Sequence, residues 1–219
     1  MINPSFTRGE YWLLEAVVQF NLPIWWLYWS EMELALNKTG HGMPRELLIE
    51  TLHKLFIEGL IVATENRNYD NLLQLDPEQI EIALSEDQST RKSKKYHYQL
   101  THKGGEYWEA FANPNWNLFI DACHEEPDDD SDIWNGEIIC PNKRHLESYY
   151  ESVSYYDYNV IEGTEKVDTV EPWQATYWKE IPIGHRIKFK GYEKIKEEDY
   201  KTPKPIDQLW YDHLWYQWR

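Results

Sequence analysis

Apolar residues recur at helical spacing from the start of the chain. Tyr11, Leu14 and Val18 fall on one face behind the start signals Ser5 and Thr7, which predicts a helix over 7–20. Pro23 opens a second block, where Leu27, Leu34 and Leu36 join a run of tryptophans and predict a mostly buried helix over 24–37. A third helix is predicted over 44–58, with Pro44 in its first turn, Leu48, Leu52, Leu55 and Phe56 on one face, and Gly59 as a left-handed cap. "LIVATE", 60–65, then alternates as a short strand, and Tyr96, Tyr98 and Leu100 share one face of an antiparallel partner over 96–101. Gly104 and Gly105 read as the turn from that strand into a helix running from Glu106 to Ala112.

Three helices, two strands and a further helix follow the order of a winged helix-turn-helix. The stretch "LIETLHKLFIEGLIVATE" resembles the helix-into-strand passage of winged-helix regulators of the MarR-like and PadR-like kind, and "YQLTHKGGEYWE" resembles their Leu-Thr-x-x-Gly signature. The resemblance covers the N-terminal half of the chain. It implies a third helix laid in the DNA major groove and a wing on the backbone, with Arg45, Ile49, His53 and Lys54 on the reading helix. The chain departs from that pattern in the wing, because residues 66–95 separate the two strands. Within them "LDPEQIEIALSED" places Asp76 as an N-cap, Pro77 at the first position, and Ile80 and Leu84 four apart, predicting a helix inserted in the wing. "STRKSKK" then supplies Arg91, Lys92, Lys94 and Lys95, a compact basic cluster able to grip phosphate from the wing.

The second half has no such resemblance. A division into a winged-helix domain, 1–114, and an aromatic-rich α+β region, 115–219, gives an α+β fold class for the whole. "EEPDDDSD", 125–132, reads as a linker or exposed acidic loop, and "NKRHLESYYESV" as a helix. "PWQATYWKEIPIGHRIKFKGY" reads as strands or a hairpin around Pro182 to Gly184, and "IDQLWYDHLWYQWR" predicts a C-terminal helix over 206–218 that docks its apolar face.

Composition changes this picture in one respect. The 219 residues carry 12 Trp, 16 Tyr and a net charge of −16. Neither half is basic: there are 10 Lys and Arg against 16 Asp and Glu before Pro114, and 12 against 22 from it onward. The third helix is itself acidic, with Glu46, Glu50 and Glu58 beside Arg45 and Lys54. Phosphate neutralisation by Lys and Arg supplies most of nonspecific DNA affinity, so this surface suits a basic protein partner better than nucleic acid.

The leading expectation is therefore a non-enzymatic binding protein, immunity- or antitoxin-like or a regulatory adaptor, whose acidic surface meets a basic protein. Tyr149, Tyr150, Tyr155, Tyr156 and Tyr158, interspersed with acids, are its candidate contact residues. A DNA-binding transcriptional regulator is the alternative, and a homodimer is compatible with either.

No cofactor is expected, and no metal site, because Cys123 and His124 are neighbours without a Cys-x-x-Cys or His-Glu-x-x-His pattern. Two cysteines, Cys123 and Cys140, and the opening "MINPSFTRGE" point to a cytoplasmic, thiol-reduced protein with no membrane span.

Overall fold

The computed structural model describes residues 4–36, 38–66, 70–85, 96–125, 132–194 and 215–216. The fold is α+β, with six α-helices and three antiparallel sheets among the described residues. Two compact units divide the chain: Met1–Asn113 together with Thr176–Lys179, and Pro114–Ala175 together with Glu180–Trp218.

The first unit begins with α1, Arg8–Glu15, held by a capping box in which Thr7 and Glu10 bond each other's backbone N–H. It is shorter than the 7–20 periodicity predicts. The carbonyls of Val17 and Val18, which a longer helix would commit to its own N–H groups, instead accept from the Tyr177 hydroxyl and the Trp178 indole. The expected helix over 24–37 is likewise divided. Leu22–Pro23 forms β1, Ile24–Tyr28 a 3-10 helix and Met32–Leu36 the short α2. Pairing of β1 with the strand at Tyr98 and His97 holds the chain extended up to the 3-10 helix, which buries Ile24 and Leu27, three residues apart.

Helix α3, Arg45–Ile57, buries Leu48, Leu52, Leu55 and Phe56, and Gly59 caps it at φ +65°. Strands β2, Ile61–Glu65, β3, Leu72–Leu73, and β4, Tyr96–Leu100, complete a sheet of order β1-β4-β2-β3. Between β3 and β4 lies α4, Pro77–Leu84, capped by Asp76 and burying Ile80, Ala83 and Leu84. The basic cluster Arg91 to Lys95 falls outside the described residues.

Helix α5 spans His102–Ala112 with Thr101 as its N-cap, so Gly104 and Gly105 lie inside its first turn rather than in a turn before it. Their role is close approach. A Cβ on Gly104 would come 1.9 Å from the Leu60 carbonyl oxygen, and one on Gly105 2.1 Å from the Trp178 ring.

The second unit is a sheet of order β5-β6-β11-β7, with β8 also paired to β11. Its strands are β5, Asp121–Glu125, β6, Ile133–Cys140, β7, Tyr158–Val160, β8, Lys166–Val170, and β11, Gly184–Glu193. Helix α6, Lys143–Tyr156, packs on one face over Ile138, Cys140, Ile187 and Phe189, contributing Leu146 and Val153. On the other face Ile139 joins a smaller cluster with Phe119, Trp173 and Ile181. Trp173–Gln174 and Glu180–Ile181 form a separate hairpin, β9 and β10. The acidic stretch expected as a linker or exposed loop at 125–132 lies between β5 and β6, which pair directly, and its residues 126–131 are outside the described set. The predicted helix over 206–218 also lies outside it, except that Trp215 stacks near Trp116 and Phe119, with ring centroids 4.9 and 4.8 Å away.

A buried ion pair stands in the first unit. Lys38 Nζ donates to Glu15 Oε2 at 2.6 Å and sits 4.5 Å from the Trp12 ring, with both side chains almost inaccessible. Burial pushes the Glu15 carboxyl up and the Lys38 ammonium down, and their mutual attraction offsets this only in part. Removing one partner strands the other, so Lys38→Met should lower stability by about 3–5 kcal/mol in urea unfolding, whereas Glu15→Leu/Lys38→Met should recover most or all of it. Equal losses in both variants would contradict this reading.

Candidate functional site

Helix α3 carries Arg45, Ile49, His53 and Lys54, the residues that the resemblance to winged-helix regulators would assign to DNA. Its exposed residues are Glu46, Leu47, Glu50, Lys54, Ile57 and Glu58, while Arg45, Ile49 and His53 are half-buried. Arg45 turns to α4. Its Nε donates to Glu81 Oε1 and Oε2 at 3.0 and 3.1 Å, and its Nη2 reaches the Ser85 hydroxyl and the Glu81 carbonyl. The guanidinium also lies 5.2 Å from the Tyr28 ring. Glu81 and its companions push the Arg45 pKa up still further.

Lys54 turns the other way, onto α1. Its Nζ bonds Glu10 Oε1 at 2.5 Å and lies 3.8 Å from Glu58. Burial pushes the Glu10 carboxyl up, but the Lys54 hydrogen bond and charge, with the Thr7 bonds, outweigh it and hold the group below its ordinary value. Both fixed cations of α3 are thus neutralised within the unit. The exposed stripe that remains joins three carboxylates to Leu47 and Ile57, which are 46% and 67% exposed.

Sequence reasoning placed Arg45 and Lys54 on the helix but missed the partners that neutralise them. The signals were present: Glu10 belongs to the Thr7-x-x-Glu10 capping box, and Glu81 lies one turn after Pro77 in α4.

The five candidate tyrosines do not form one open surface. Tyr158 is 8% exposed, stacked on His124 at 4.9 Å and set edge-on to Phe189, so it belongs to the core of the second unit and presents no contact surface. Tyr149 and Tyr150 pack against the same core, with the Tyr150 hydroxyl donating to Glu165 at 3.3 Å. Tyr155 and Tyr156, at the end of α6, are half-buried and touch edge to face, with Lys194 5.6 Å from the Tyr155 ring. Aromatic rings close to carboxylates in sequence here line a half-buried helix.

Cys123 and Cys140 are both free thiols, the first exposed and the second buried with its pKa raised to about 11 by desolvation. His124 points to the core side of β5, away from Cys123, and burial lowers its pKa. Among the described residues no group of three His, Cys, Asp or Glu is arranged to hold a metal, and no helix is long and apolar enough to cross a membrane.

No family model, curated protein or solved structure matches the chain.

The Glu10 site carries a pH signature. With its folded pKa held below 4.5, the stability Glu10 contributes is complete above pH 4.5 and is lost as pH falls through the lower folded value. Lys54→Met removes the compensating charge and leaves burial to push the carboxyl up, so the acid-side loss of urea stability should move to higher pH. An unchanged acid limb would show that Lys54 does not govern Glu10.

Proposed function

We propose that this protein is a non-enzymatic binding protein in which the acidic outer face of α3 recognises a basic protein partner. The observation that carries the proposal is the internal neutralisation of Arg45 by Glu81 and of Lys54 by Glu10. It leaves Glu46, Glu50 and Glu58 to set the charge of that face, with Leu47 and Ile57 as apolar contacts between them. Complementary charge steers encounter, and the apolar side chains supply burial on docking.

The scaffold of this reading is a winged helix-turn-helix with a helix inserted in its wing. Supporting it are the succession α1, β1, α2, α3, β2, β4 and the placing of β4 between β1 and β2, with α4 in the connection that a wing would occupy. That same topology favours the second reading, a DNA-binding transcriptional regulator, for which contacts would fall to Arg91, Lys92, Lys94 and Lys95 rather than to α3.

Capture from a native-host lysate at low salt, with and without nuclease, separates the two. The expected result is one stoichiometric basic protein that survives nuclease and whose affinity falls about tenfold or more on Glu46→Lys/Glu50→Lys. Recovery of defined DNA fragments, unaffected by those reversals, would overturn the proposal in favour of the regulator.

A further inference from the structure

The polar face of the second unit's sheet holds a cleft of about 580 Å³ with a charge unlike that of the rest of the chain. The alternation of β11 sends Ile187 and Phe189 to the core and Lys188 and Lys190 to this face. In register, Lys188 stands between Glu137 of β6 and Lys166 of β8, and Lys190 stands opposite Asn135. All five residues line the cleft, and Glu125 of β5 closes its far side.

The cleft is lined by three lysines, Lys166, Lys188 and Lys190, against two carboxylates, Glu125 and Glu137, and among the described residues only Lys188 is paired with one of them. Glu137 is engaged by Lys188 at 2.7 Å and by Arg186 at 3.6 Å, and Arg186 is in turn held by both oxygens of Asp168 at 2.7 Å. Lys166 and Lys190 have no ion-pair partner among the described residues. Like charges directly opposite across a strand pair are destabilising, and Lys166 faces Lys188 in a chain with 38 acids to choose from. The net charge of −16 does not erase the local field, because exposed charges beyond about 8–10 Å are largely screened at physiological salt.

We propose that this cleft binds a small, multiply charged organic anion, its phosphate or carboxylate groups held by Lys166, Lys188 and Lys190. The anion removes the repulsion between Lys166 and Lys188 and supplies a counter-charge to Lys190, which has no ion-pair partner among the described residues. The ligand body extends over β6 toward Glu125, a reach of three strand spacings, about 14 Å, and the volume suits a molecule of ordinary metabolite size. This site is on a different unit from the α3 face, so either can fail alone.

The test is titration of the full chain with pyrophosphate in one arm and citrate in the other, at constant ionic strength, followed by backbone amide resonances. Saturable shifts confined to β6, β8 and β11 are expected below about 10 mM, and the tighter arm identifies phosphoryl or carboxylate chemistry. Lys166→Gln/Lys190→Gln should weaken binding at least about tenfold, since each charged hydrogen bond removed is worth that much. Lys143→Gln, on α6 outside the cleft, should bind like the parent protein. Thermal melting of the double variant, equal to or above the parent's because a like-charge pair is gone, reports that the fold is intact. Failure to saturate in both arms, or equal affinity in the double variant, would overturn the proposal.

Discussion

The absence of a side chain at Gly105 is the constraint on which the first unit depends. The Trp178 ring occupies the space a Cβ would need, meets Trp108 edge-on with centroids 6.2 Å apart, and directs its indole N–H to the Val18 carbonyl at 2.9 Å. Beside it the Tyr177 hydroxyl accepts from the Leu100 N–H at 2.7 Å and donates to the Val17 carbonyl. These groups satisfy backbone atoms that α1 and β4 leave open, at positions buried from water, where an unmet polar group costs about 1–3 kcal/mol. Lys179 adds bonds to both oxygens of Glu109 on α5. Four residues from the second half of the chain, Thr176–Lys179, are therefore structural members of the first unit.

Charge is arranged with equal consequence. An acidic chain can still carry a basic reading helix if its cations point outward. Here they are turned inward or sideways onto carboxylates of α1 and α4, which leaves an acidic and partly apolar face. The second unit does the reverse on the polar side of its sheet, where β8 and β11 gather Lys166, Lys188 and Lys190, of which only Lys188 has an ion-pair partner among the described residues. The two proposed sites therefore differ in the sign of the charge they present.

Much of the first unit was legible because its signals are local. Pro44 and Gly59 bracket α3, Asp76-Pro77 opens α4, and period-two alternation marks β4. What escaped was set from far along the chain. The early end of α1 depends on Tyr177 and Trp178, some 160 residues away, and β1 is two residues long and extended only because β4 pairs with it. Strands β5 and β6 escaped for a different reason: "DACHE" and "IWNGEIIC" lack a clean alternation, since Ile138 and Ile139 face separate clusters on opposite sides of the sheet. At the candidate site the chemical identity of Arg45 and Lys54 was readable, but their neutralisation was not, because it requires knowing which acids fold against α3. In the tyrosine-rich stretch the side-chain directions were not readable: Tyr149 and Tyr150 pack against the core of the second unit from α6, and Tyr158 is buried on β7.

Amide hydrogen exchange of the full chain carrying Trp178→Ala tests most directly whether Thr176–Lys179 completes the first unit. Truncating a buried Trp costs about 3–5 kcal/mol, so the most protected amides of α3, β4 and α5 should exchange at least about a hundredfold faster. The β6 and β11 amides of the second unit should keep their protection. Unchanged protection of α3, β4 and α5 would contradict the account.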